Sequence, residues 1–180
     1  MASGIRRGYL AAFLLMAAAI VVALAVRWAV APHGPSIEIV SAPGDRRSVS
    51  LIEMRRWPVI ERAGAYENRF GNWRDDGSYV GVRLSDLIGA VDYRSIVVVA
   101  DDGYSLEIER DRVDDAVHPM VLAYRFDGIE VPRWTDGFRI AVLPEDGGYS
   151  NDDSCGGSWD ESKPSAGSFW VRNVARIELR

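Results

Sequence analysis

SIVVVADDGYSLEIE, residues 95–109, decides what kind of domain this chain builds. Ile96, Val97, Val98 and Val99 form an unbroken β-branched run, the signature of a buried strand. Asp102-Gly103 follows as turn chemistry, because glycine enters the left-handed region without a steric cost. Tyr104 to Glu109 then alternates apolar and polar, as a strand with one wet face does. The stretch predicts two antiparallel strands joined by a tight turn.

The same grammar recurs outward from it. Toward the C-terminus, residues 110–118 read as short helical or irregular chain. MVLAYRF (120–126), Asp127-Gly128 and IEVPR (129–133) read as a second hairpin, with Pro132 marking a sheet edge. FRIAVLP (138–144) reads as a strand, and SFWVRNVARIELR (168–180) is strand-rich. Between them, residues 145–167 read as a polar Gly/Ser/Asp-rich loop. Toward the N-terminus, GVRLSDLIGAV (81–91) predicts a strand running into a short helix capped by Ser85, after a turn at Asp75-Asp76-Gly77. GAYENRFGNW (64–73) matches neither helix nor strand periodicity. SVSLIEMRRWP (48–58) predicts a short helix with a Ser50–Glu53 capping box, stopped by Pro58, and IEIVS (37–41) predicts a strand. The sum is an α+β domain of mixed, mostly antiparallel sheets with a few short helices.

Residues 1–31 have a different composition. Between Arg7 and Arg27 lie 19 uncharged residues, which as a helix span about 28 Å, the thickness of a bilayer core. The pattern predicts one N-terminal transmembrane helix over residues 8–26, then a linker (32–36) and a domain (37–180). Arg6 and Arg7 keep the N-terminus cytoplasmic, which places a single-pass protein in the cell membrane with its C-terminal domain extracytoplasmic. A cleaved signal and a secreted product remain the alternative, with small-x-small sites at Ala23-Leu24-Ala25 and Ala29-Val30-Ala31. R-R-G-Y-L also loosely resembles a twin-arginine export signal.

Charge and composition exclude several function classes. Three of the 21 basic residues lie in residues 1–31, leaving 18 against 26 acids, a net −8. Such a domain lacks the basic footprint of a nucleic-acid binder. Two histidines, His33 and His118, and one cysteine, Cys155, give no triad, zinc set or intramolecular disulfide. Asn151-Asp152-Asp153-Ser154, with Asp160 and Glu161, suits either a hard cation such as calcium or a solvated surface loop, without EF-hand spacing. Cys155, among glycines in that loop, is a candidate metal ligand or an incidental thiol. Arg69, Arg83, Arg139 and Arg172 are the candidate cations for an anionic ligand, or surface residues.

Five segments occur in a telling order: GVRLSDLI (81–88), DGY (102–104), LAYRFDG (122–128), GFRI (137–140) and WVRNVARI (170–177). Together they resemble the oxidoreductase molybdopterin-binding domain family, the sulfite-oxidase-like fold, over roughly residues 37–180. The resemblance implies molybdopterin as cofactor, a molybdenum-dependent oxidoreductase activity and a membrane redox partner. It implies cofactor-binding roles for Asp102 and Tyr104, in the D-G-Y motif, and for Arg139, in the G-x-x-R strand. Catalytic members carry a metal-binding cysteine before the G-V-x-L motif, and GAYENRFGNW has none there. A non-catalytic ligand- or partner-binding module on the same scaffold is therefore the alternative reading.

GAYENRFGNW still has the chemistry of a pocket wall. Asn68 and Asn72 offer donors and acceptors to a pterin edge, and Arg69 suits a phosphate. Tyr66, Phe70 and Trp73 suit a flat ring, while Gly64 and Gly71 permit close backbone approach. The competing expectation is that the aromatics are core and the polar residues hold an irregular loop.

Overall fold

Eleven strands and a few one-turn helices make up the described part of the chain. A computed structural model describes residues 34–41 and 44–180, together with Met16. The membrane-spanning or signal segment expected over residues 1–31 lies outside the described residues, and no helix among those described is long and apolar enough to cross a membrane. Gly34–Arg180 forms one compact unit.

The first sheet has the order β2-β1-β11-β5-β6. β5 (Ser95–Ala100) and β6 (Ser105–Glu109) are the hairpin expected from residues 95–109, paired from Ser95–Glu109 to Val99–Ser105. β11 (Val174–Leu179) runs antiparallel to β5 and parallel to β1 (Ser36–Val40), which pairs with β2 (Arg46–Ser50). α1 (Leu51–Met54) follows at once, with the Ser50–Glu53 capping box in place. The helix is shorter than expected because residues 48–50 complete β2 instead.

The second sheet is built on β3 (Val59–Glu67) and β4 (Trp73–Arg83), one long hairpin. β7 (Met120–Phe126) adds to β4, then β8 (Ile129–Glu130) lies at the edge and β9 (Arg139–Val142) also pairs with β7. β10 (Gly148–Tyr149) runs parallel to β3 at the other edge. Both sheets are thus mixed and mostly antiparallel.

Three local expectations need correction. GAYENRFGNW is the tip of the β3–β4 hairpin, hidden from periodicity by a register shift between Gly64 and Tyr66. Asp75-Asp76-Gly77 is not a turn but strand, with Asp75 at φ 53°. α2 (Leu84–Ile88) starts directly from β4 at Arg83 with no side-chain cap, so Ser85 caps nothing. Burial explains this last point: Leu84, Leu87 and Ile88 are pressed into the core, and packing holds the turn without a cap. α3 (Arg110–Val113) occupies the segment left open at 110–118. The polar loop 145–167 contains β10, α4 (Asn151–Cys155) and the start of a 3-10 turn, Ala166–Phe169.

Side chains from both sheets join one buried cluster, including Ile37, Ile96, Val98 and Ile177 from the first and Tyr79, Val82, Leu122 and Ile140 from the second. Each such aliphatic residue contributes about 1.5–3 kcal/mol by leaving water.

Candidate functional site

The β3–β4 tip satisfies itself. Asn68 Oδ1 accepts from the amides of Phe70 at 2.9 Å and Asn72 at 3.1 Å, while the Asn68 amide donates to the Asn72 carbonyl at 2.9 Å. Asn therefore acts here as a turn former, imitating a backbone acceptor. Arg69 is exposed, its guanidinium 5.5 Å from the Phe70 ring. The three aromatics separate: Tyr66 packs 5.0 Å from Trp170, whereas Phe70 and Trp73 stand 77% and 52% exposed.

Asn151 locks this tip to the rest of the domain. Ser150 and Asp153 form a capping box that starts α4 and presents Asn151 inward. Its amide donates to Glu67 at 2.9 Å and its Nδ2 to the Asn68 carbonyl at 2.9 Å. Its Oδ1 accepts from the Ala166 amide at 2.9 Å. One buried side chain thus joins the hairpin, α4 and the 3-10 turn. Sequence reasoning placed Asn151 in a loop for a hard cation and missed this bridging role, although Ser150-Asn151-Asp152-Asp153 carries the same box spacing as Ser50–Glu53.

Beneath the tip lies a charge quartet. Arg139, 2% exposed, binds Asp75 through Nη2 and Asp136 through Nη1 at 2.9 Å. Arg172 reaches the same Asp75 oxygen at 2.8 Å and Asp136 at 3.4 Å. Arg139 also sits 5.2 Å from the Trp170 ring and 5.9 Å from Tyr66. Burial pulls the Asp75 carboxyl upward, but the hydrogen bonds and charge of Arg139 and Arg172 outweigh it and hold it below its ordinary value. Burial pushes the nearby Tyr79 phenol up, and its hydroxyl donates to the Asp75 carbonyl at 2.7 Å. Arg139 Nε and Trp170 Nε1 are buried without an acceptor among the described residues.

Of the remaining candidates, Asp102 and Tyr104 lie together and Arg69 lines a different cleft. Asp102 and Tyr104 sit on the β5–β6 turn, where Asp102 accepts from the Tyr104 amide at 2.9 Å. They line a cleft of about 290 Å³ with Ser168, Trp170, Arg172 and Asn173. Arg69 and Phe70 line another, of about 480 Å³, with Asp152, Trp159 and Glu161. Asn68 stands between these regions, since Gly167 packs near its Cα. Cys155 closes α4 with its thiol directed at the Gly157 carbonyl, 3.0 Å away. Among the described residues no group of three His, Cys, Asp or Glu is arranged to hold a metal. His118, which stood alone in the sequence, bonds Asp115 at 2.9 Å and approaches Asp153 at 3.9 Å. Its D-x-x-H spacing was the available signal.

This arrangement does not fit a molybdenum–pterin group at the hairpin. Of the two glycines of the hairpin, Gly64 is already covered, since a Cβ there would lie 2.5 Å from Leu143 and 3.2 Å from Trp170, whereas Gly71 meets only Glu67 at 3.5 Å. The two arginines nearest the tip's base are each shared between two carboxylates, which offset their charge, and Arg139 Nε alone is left as an unused buried donor among them. The only thiol is turned into its own loop. What the surface offers is an exposed aromatic and basic tip on a rigid base.

No family model and no curated protein matches the sequence. Among solved structures, the chain is similar to the crystal structure of the sulfane dehydrogenase SoxCD from Paracoccus pantotrophus, with a TM-score of 0.56 and 15% identity. The similarity covers 81% of this chain and 38% of that one, and it establishes a shared fold.

Proposed function

We propose that this chain is a non-catalytic binding module on a sulfite-oxidase-like scaffold, held at the extracytoplasmic face of a membrane by residues 8–26. One observation carries the reading. The segment where the resemblance would put a metal-binding cysteine is a hairpin tip in which Asn68 is bonded within the fold and Arg69, Phe70 and Trp73 stand exposed. Such a surface suits recognition of a partner rather than redox chemistry. Fold alone assigns no activity.

The second reading is a molybdopterin-dependent oxidoreductase. The fold shared with a sulfane dehydrogenase and the five ordered motifs favour it. Assay of molybdenum and released pterin in the full chain purified from its native host separates the two. The binding-module reading expects both far below one per chain. Stoichiometric molybdenum and pterin would overturn it in favour of the oxidoreductase.

A further inference from the structure

We infer that Arg139 and Arg172 form a site for a small oxyanion, of the phosphate or sulfate class, which the chain fills with its own Asp75 carboxylate. This goes beyond the binding-module reading and does not depend on it or on the segment 8–26.

The two guanidinium groups close on a single atom. Arg139 Nη2 and Arg172 Nη2 both bond Asp75 Oδ2, the second at 2.8 Å. Asp136 Oδ2 accepts from Arg139 Nη1 at 2.9 Å and lies 3.4 Å from Arg172 Nε. Two cations this close repel unless an anion lies between them. Arginine forks converging on oxygen are the usual means of gripping a carboxylate or a tetrahedral oxyanion. The carboxylates do not exhaust the donors. Arg139 is 2% exposed, and its Nε is buried with no acceptor among the described residues. A carboxylate brings two oxygens in one plane, whereas phosphate or sulfate brings four, so the site has a donor to spare that an oxyanion could use.

Asp75 reaches the arginines through a local distortion of β4. Gly64 pairs with Gly77 and Tyr66 with Arg74, which leaves Asp75 and Asp76 together opposite Ala65. A bulge of this kind re-aims a side chain. Asp75 itself takes φ 53°, a left-handed conformation that costs a residue with a Cβ. The Tyr79 hydroxyl, donating to the Asp75 carbonyl at 2.7 Å, pins it there. The strand therefore accepts strain to deliver a carboxylate to the arginine pair. Solvent reaches the pair from one side: the Arg172 side chain is 49% exposed and lines the cleft it shares with Ser168 and Asn173. Two arginines and two aspartates balance in charge, so the intact chain has no need of an external anion. Neutralising Asp75 leaves one positive charge uncompensated.

The test reads the thermal midpoint of the purified full chain, in a non-ionic detergent at neutral pH, against sodium phosphate. Sodium gluconate holds the ionic strength constant. The wild type is expected to be indifferent to phosphate. Asp75→Asn is expected to start lower and to rise by about 5 °C at about a hundredfold excess of phosphate over its dissociation constant. Asp75→Asn/Arg172→Gln is expected to lose that rise. A midpoint of Asp75→Asn that ignores phosphate overturns the inference. So does a wild type that rises as much as the variant, because Asp75 would then not be filling the site. A rise kept in the double variant also overturns it, marking an adventitious ion elsewhere. Should Asp75→Asn give folded protein only with phosphate, the inference stands. Should it fold in neither buffer, Asp136→Asn decides, since it uncovers the same charge without touching β4: a rise with phosphate supports the site, and indifference overturns it.

Discussion

Arg139 carries the most consequence of any single residue. From sequence it was an arginine in a strand motif, open to an anionic ligand; in the fold it is buried and neutralised by Asp75 and Asp136. Arg139→Met leaves both acids with only the half-exposed Arg172, and breaking a buried pair costs about 3–5 kcal/mol. Urea unfolding at neutral pH measures this. Asp75 gives a pH signature. Its carboxyl is held below its ordinary value of 3.8 in the fold, so it contributes stability above that value and loses it as pH falls through the depressed one. Unfolding free energy should therefore drop below about pH 4. Asp75→Asn should lower stability at neutral pH and flatten this acid limb. An unchanged limb in the variant assigns the acid sensitivity to other carboxylates.

At the scale of elements, the β3–β4 hairpin and α4 depend on each other. α4 is one turn long and its composition is poor in helix formers, so composition gave no sign of it. It persists because its cap is complete and Asn151 bonds Glu67, Asn68 and Ala166. Asn151→Ala strands the buried Ala166 amide and the Asn68 carbonyl, which costs about 2–4 kcal/mol at roughly 1–2 per unsatisfied group. Hydrogen exchange should show faster opening of residues 64–73 and 150–157 together in this variant. Opening confined to 150–157 would mean the hairpin stands alone. The hairpins at 95–109 and 120–130, by contrast, were legible because alternation and Asp-Gly turns are short-range signals. The 64–73 tip was not, because its bulge breaks the alternation.

For the whole molecule, side chains from the two sheets fill one shared core. Trp170, Tyr79 and Leu143 occupy the space over Gly64, and Tyr66 the space over Gly167. Expression in a host unable to make pterin should therefore leave yield and thermal midpoint unchanged. A large fall in either would show that a cofactor completes the core.

The sequence by itself determined the α+β class, the hairpins with Asp-Gly turns, the acidic balance of the domain and the uncharged run of residues 8–26. These follow from composition and from periodicities of two and 3.6 residues, which need no distant partner. Tertiary structure alone decided which polar groups are spent and which remain free. Asp75 meets Arg139 across 64 positions, and Asn151 meets Asn68 across 83. Such pairs are set by strand pairing and sheet packing, which the local pattern of the residues does not encode.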